Sequence, residues 1–222
     1  RADMLRDGLT EREDGIVAAH FTYLSKLAEK GVVKLAGRTT NTDASSFGLV
    51  VLESADEEAA RALQIRMLPQ SDQQIGSFRF RHRIFTSMYL SGDFVDFFRL
   101  GKDEVAFYMA DVSGHGAASA FVTVMLKTLI DKYRERLMRE GDHLLLSPSD
   151  LLSQLNRDFC QSGIDKYLTI FYAVLDRRSN RLRYCSGGQF PPPMVRGSDS
   201  LEVLTGHDRP VGLFEDSIYT DH

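Results

Sequence analysis

Two apolar runs meet at Gly101-Lys102-Asp103, and this hairpin constrains the fold more than any other feature of the chain. Phe94 to Leu100 and Glu104 to Val112 read as strands, and so short a polar turn joins antiparallel neighbours. Residues equidistant from the turn face each other, and Asp93 and Asp111 are equidistant from position 102. Their Cβ atoms are then expected about 4.5–5.5 Å apart. Two unpaired carboxylates that close repel, and a divalent cation between them is the simplest relief. Hard oxygen ligands select Mg²⁺ or Mn²⁺ over Zn²⁺. On spacing alone a second reading stays open, a plain strand-loop-helix carrying two surface aspartates.

The pattern continues past the hairpin. Ser113-Gly114-His115-Gly116 forms a loop whose glycines let the backbone turn sharply. A long helix is expected from about Ala117 to Arg139, its first turn offering free amides to an anion. Ser147-Pro148-Ser149-Asp150 opens another helix, with Pro148 near its first turn. Tyr167–Leu175, Arg181–Cys185 and Pro193–Arg196 read as strands. Upstream, Phe78, Phe80, His82 and Ile84 alternate with Arg79, Arg81 and Arg83, a strand with one wet face. That basic stripe suits either plain solvation or a phosphorylated partner. The order β-β-β-α-α-β-β-β predicts an α+β fold of antiparallel sheets with helices packed outside.

Composition narrows the partners. With 27 basic and 31 acidic side chains the net charge is −4, which gives no footprint for nucleic acid or an anionic membrane. No apolar run approaches the roughly 20 residues that span a bilayer. Cys160 and Cys185 lack companions at metal-ligand spacing and read as reduced thiols. The chain opens Arg1-Ala2-Asp3-Met4, without an initiator Met or a signal-peptide core, so it reads as a fragment of a cytoplasmic protein.

A run of motifs in order carries a resemblance. Leu63-Gln64, Leu68-Pro69, Ser91-Gly92-Asp93-Phe94-Val95-Asp96, Ala110-Asp111-Val112-Ser113-Gly114-His115-Gly116, Leu155-Asn156, Leu168-Thr169, Ser186-Gly187-Gly188 and Arg209-Pro210-Val211-Gly212 resemble the PPM (type 2C) phosphatases of the SpoIIE/RsbU branch, over about residues 63–216. The resemblance implies a β-sandwich flanked by helices (α/β/β/α). Asp93 and Asp111 match metal-binding aspartates. Val112 falls where a backbone carbonyl helps hold a metal-bound water, and Asp96 at a position near the metals. His115 is then a candidate general acid, or a residue that shapes the loop. Also implied are two Mn²⁺ or Mg²⁺ ions and a metal-activated water. The implied substrate is phosphoserine or phosphothreonine on a bacterial regulatory protein, such as an anti-sigma-factor antagonist.

Two departures matter. Gln189 stands where many relatives have His. The family's Ser-Asp-Gly and Asp-Asp segments are absent, because the chain ends at Asp221-His222, and Asp208, Asp216 and Asp221 lie in the wrong contexts to replace them. A site with half its carboxylates is expected to bind metal weakly. A phosphoprotein-binding module without hydrolysis is the alternative this leaves.

The N-terminal third reads as helix, strand, strand, helix. Thr10-Glu11-Arg12-Glu13 has the form of a capping box, and Ile16, His20, Leu24 and Leu27 follow at helical spacing. The segments Arg1–Glu11, His20–Leu24, Gly31-Val32-Val33, Ala36-Gly37-Arg38 and Glu57–Arg61 resemble a YCII-related (YciI-like) protein. That resemblance implies a ferredoxin-like α+β unit, here partial, and a possible homodimer. It also implies a small-molecule activity centred on His20, although the Asp-Pro dipeptide that pairs with the family's His does not occur here. The expected domains are residues 1–63 and 64–222.

Overall fold

The computed structural model describes residues 10–30, 33–38, 48–52, 57–84 and 90–222. Cα packing divides the chain into two units, Arg1–Ala59 and Ala60–His222. The first contains α1 (Glu11–Glu29) and the antiparallel pair β1 (Val33–Arg38) and β2 (Gly48–Leu52). Helix α1 lies against β1, and the β1–β2 register shifts between Val33 and Leu35. The Asn41-Thr42-Asp43 loop lies outside the described residues, and so does the side chain of His20.

The second unit takes in the end of α2 (Glu57–Met67) and then a hairpin of β3 (Asp72–Ile75) and β4 (Phe78–Arg81). Its centre is a four-stranded antiparallel sheet in the order β5 (Asp93–Arg99), β6 (Glu104–Val112), β7 (Leu168–Asp176), β8 (Arg181–Gly187). Between β6 and β7 the chain forms α3 (Ala117–Glu140) and α4 (Pro148–Gln161), which pack on one face of that sheet. A short hairpin, β9 (Met194–Arg196) with β10 (Leu201–Val203), follows β8.

Side-chain periodicity explains this layering. In α3 the residues Val122, Leu126, Ile130 and Tyr133 recur every three or four positions, and all are buried. Leu151, Leu152, Leu155 and Phe159 do the same for α4. On the strands every second residue answers them: Phe94 and Phe98 on β5, and Ala106, Tyr108, Ala110 and Val112 on β6. Each such Leu or Phe contributes about 1.5–3 kcal/mol by leaving water. Helix α3 ends where Gly141, at φ 70°, takes the left-handed conformation and donates its N–H to the Leu137 carbonyl.

The other face of the sheet is covered differently. Ile75 and Phe80 of the β3–β4 hairpin pack on Phe97, Val105 and Phe107. Phe80 stacks on Phe97 with ring centroids 4.9 Å apart. Beyond this patch Met109, on the same face, is 45% exposed. Among the described residues the second layer is this hairpin together with Leu204, which packs against the Phe171, Ala173 and Tyr184 cluster, while Asp93 and Asp111 are exposed at the other end of their strands.

Three local differences from the sequence reading have simple causes. The expected strand over residues 78–84 stops at Arg81, because β4 pairs only with the short β3. Strand β3 was not expected, since Asp72-Gln73-Gln74-Ile75 has almost no apolar alternation. Hairpin β9–β10 is wholly exposed, so no burial pattern marks β10 in the sequence. Among the described residues no helix is long and apolar enough to cross a membrane.

Candidate metal centre

The β5–β6 register pairs Asp93 directly with Asp111, as equal spacing from the turn predicts, and continues through Thr169 on β7. Register partners share a face, so the three form one row at the open end of the sheet. Both carboxylates are exposed, and among the described residues neither has a cationic partner. Burial, and next the charge on Asp93, hold the Asp111 pKa above the ordinary carboxylate value.

The turns that carry the two aspartates are tied down by side chains from elsewhere. The Asp93 N–H donates to Ser91 Oγ at 3.0 Å. Gly92 lies so close to the opposite strand that a Cβ there would come 2.7 Å from the Val112 carbonyl oxygen. After Asp111, the Ser113 carbonyl accepts from Ser119 Oγ of α3 and from Lys166 Nζ, both at 3.0 Å. Gly114, at φ 83°, takes a conformation that L side chains rarely adopt, and Lys166 Nζ fills the space over it. Neither Lys166 nor Ser119 stood out in the sequence, since a single Lys or Ser carries no spacing signal.

Not every expected residue joins the pair. Val112 buries its side chain on the helix face while its carbonyl lies beside Gly92. His115 is exposed on the loop and makes no hydrogen bond among the described residues. Asp96 is a correction. Three positions from Asp93, strand alternation sends it to the opposite face, where it is 5% exposed. Its Oδ2 lies 3.0 Å from Lys127 Nζ, and its Oδ1 accepts from the Phe97 N–H. Burial raises its pKa, against which Lys127 pulls. Asp96 is half of an ion pair in the helix-facing core, away from the Asp93–Asp111 pair.

The C-terminal aspartates are engaged as well. Asp208 accepts from the Thr220 N–H, Asp221 from the Ser149 N–H, and Asp216 pairs with Arg209 at 3.2 Å. Gln189 follows the Gly187-Gly188 turn, with its Oε1 3.5 Å from Thr169 Oγ1. Asn156 explains two motifs together. Its Oδ1 accepts from the Gly212 N–H at 2.8 Å, and its Nδ2 donates to the Phe214 carbonyl at 2.9 Å. That staples the Pro210-Val211-Gly212 segment to α4, where Val211 pairs with Leu168 at the start of β7.

Among the described residues no group of three or more His, Cys, Asp or Glu side chains gathers to hold an ion. Two facing carboxylates with no cationic partner among the described residues fit a hard divalent ion. They do not by themselves provide for two ions.

An antiparallel sheet with two helices on one face, and paired aspartates at its solvent-open end, belongs to the type 2C phosphatase fold within the α+β class. A family model described as Stage II sporulation protein E (SpoIIE) matches residues 101–222, more than half of the chain, and the chain belongs to that family. A YCII-related domain model matches residues 3–72. The SiaA-PP2C domain of Pseudomonas aeruginosa is similar in fold, with a TM-score of 0.55 and 16% identity, over 75% of this chain and 64% of that one. Phosphoserine phosphatase RsbP of Bacillus subtilis (strain 168) is 29% identical over 135 residues, 59% of this chain. The chain spans about a third, 32%, of the length of that curated relative.

Proposed function

We propose that residues 64–222 form a metal-dependent protein serine/threonine phosphatase domain, preceded in residues 1–63 by a YCII-like unit. The single observation that carries the reading is the register pairing of Asp93 with Asp111, two carboxylates without a cationic partner among the described residues. The similarity to a phosphoserine phosphatase supports the substrate class.

In this reading Asp93 and Asp111 hold Mn²⁺ or Mg²⁺, which when bound supplies Lewis-acid charge and an acidified water. The Val112 carbonyl offers an acceptor at the edge of the same turn. Lys166, anchored on the Ser113 carbonyl, fixes the loop that an approaching phosphoryl group would meet. His115, exposed on the same loop, is in this reading the donor of a proton to the leaving alkoxide. The substrate is a phosphorylated regulatory protein.

The test is Mn²⁺-dependent release of phosphate from a phosphoserine protein by this chain and by its Asp111→Asn variant. Activity that requires both Mn²⁺ and Asp111 supports the reading. Binding of the phosphoprotein without turnover in either chain would replace it with a binding module.

A further inference from the structure

Gln64 is a buried polar side chain, 8% exposed, that the proposed chemistry does not use. Its Oε1 accepts the Ser91 N–H at 3.1 Å, and its Nε2 donates to the Ser91 carbonyl at 2.7 Å. Nε2 also lies 3.1 Å from Thr123 Oγ1 on α3. A primary carboxamide that grips both backbone groups of one residue fixes the two peptides on either side of it, as a paired strand would. Ser91 in turn receives the Asp93 N–H on its hydroxyl. Gly92 between them is wedged against the Val112 carbonyl and Ser119 Cβ.

Helix α3 is the common reference for both aspartates. Thr123 meets Gln64 on the Asp93 side, and Ser119, one helical turn earlier, holds Ser113 on the Asp111 side. A Leu at position 64 would fill similar space without the cost of burying a carboxamide, so filling space does not account for the residue. The amide does what an apolar side chain cannot. It sets the orientation of the two peptide groups that flank Ser91, two residues before Asp93.

We propose that Gln64 is a positioning residue for the metal centre: it holds the Ser91–Asp93 turn at the separation from Asp111 that a divalent ion needs. The proposal rests on reading Asp93 and Asp111 as the metal ligands. Gln64 touches neither the ion nor the substrate.

The experiment uses the full chain and three variants, with Mn²⁺ uptake followed by titration calorimetry and backbone amides by hydrogen exchange. Gln64→Leu should weaken Mn²⁺ binding about tenfold or more, the usual effect of disturbing a ligand's support. It should also speed exchange at residues 91–93 while β7 and β8 keep wild-type rates. Gln64→Glu, which keeps the acceptor for the Ser91 N–H, should fall between Leu and wild type. Tyr133→Phe, which removes the phenol's hydrogen bond from α3 to Asp158 on α4, controls for plain destabilisation. It should lower the unfolding midpoint and leave Mn²⁺ binding alone.

Wild-type Mn²⁺ affinity in Gln64→Leu would overturn the proposal, and so would faster exchange spread evenly over the whole sheet. Failure of the wild-type chain to take up Mn²⁺ would sink the metal reading itself. The exchange rates at residues 91–93 would then still show whether Gln64 holds the turn.

Discussion

Asp93 and Asp96 sit on one strand, three positions apart, and the protein treats them in opposite ways. Asp96 points into the helix-facing core and meets Lys127 at 3.0 Å. Asp93 points the other way, faces Asp111, and meets no cation among the described residues. Strand alternation makes the difference, because an odd step changes face. The comparison teaches how to sort carboxylates in a fold of this kind. One whose counter-charge comes from the protein supports the structure. One whose counter-charge is missing is available to a ligand.

The largest effect is expected on the Asp96 side. Lys127→Met strands a carboxylate that is almost wholly buried, and breaking such a pair costs about 3–5 kcal/mol. Urea unfolding at neutral pH should read that loss. Burial already raises the Asp96 pKa, so the folded state binds the proton more tightly than the unfolded chain does. The variant should therefore recover stability as pH falls through that raised value, when Asp96 becomes neutral. A loss that does not depend on pH would show that Lys127 acts by packing alone, and the charge comparison would break.

The next effect falls on the other face. Asp111→Asn should lower Mn²⁺-dependent phosphate release at least about 100-fold, since removing a ligand exceeds the loss from disturbing its support. Without metal the same variant should be at least as stable as wild type. Burial first, and Asp93 second, disfavour the charged form of Asp111, so removing that charge relieves the fold. A clear fall in the metal-free unfolding temperature would assign Asp111 a structural role and erase its difference from Asp96.

A smaller effect tests how tightly the turn is built. A Cβ on Gly92 meets the Val112 carbonyl at 2.7 Å, a backbone atom that cannot swing aside. Gly92→Ala should cost about 1–3 kcal/mol, the range for overpacking a close-fitting site. It should also weaken Mn²⁺ binding, because the strain falls between Asp93 and the Val112 carbonyl. Destabilisation with unchanged Mn²⁺ affinity would separate the turn from the ion.

How much of this was legible in the sequence depends on the range of the interaction. The β5–β6 register was legible because symmetry about a turn is local, and with it came the facing of Asp93 and Asp111. Helices α3 and α4 were legible from the glycine loop before Ala117 and from the Ser147-Pro148-Ser149-Asp150 start, both local signals. Asp96 was misplaced with the pair, although counting along the strand already puts it on the other face. Lys166 and Ser119 stayed hidden, and Gln64 was visible only as part of a motif, without its contact. Each acts on a residue brought near only by the tertiary fold, and no periodicity announces a contact such as that of Gln64 with Ser91, 27 positions away.

The smallest effect concerns the basic stripe on β4, which looked free in the sequence. Arg79 and Arg81 share one carboxylate: Asp72 lies 2.6 Å from the first and 3.0 Å from the second. The hydrogen bond from Arg79 is the main cause that holds the Asp72 pKa down to about 2. That sign makes the pair's contribution present above the ordinary carboxylate pKa and lost as pH falls toward 2. The cluster is solvent-exposed, and water and salt screen it, so the contribution is slight. Asp72→Ala should leave the urea midpoint at neutral pH within error of wild type. The contrast with Lys127→Met is then the sharpest form of the comparison, since each variant breaks two ion pairs and only the one with a buried member, Lys127–Asp96, should matter. A midpoint shift for Asp72→Ala as large as that for Lys127→Met would mean that burial does not decide the worth of a charge pair in this fold.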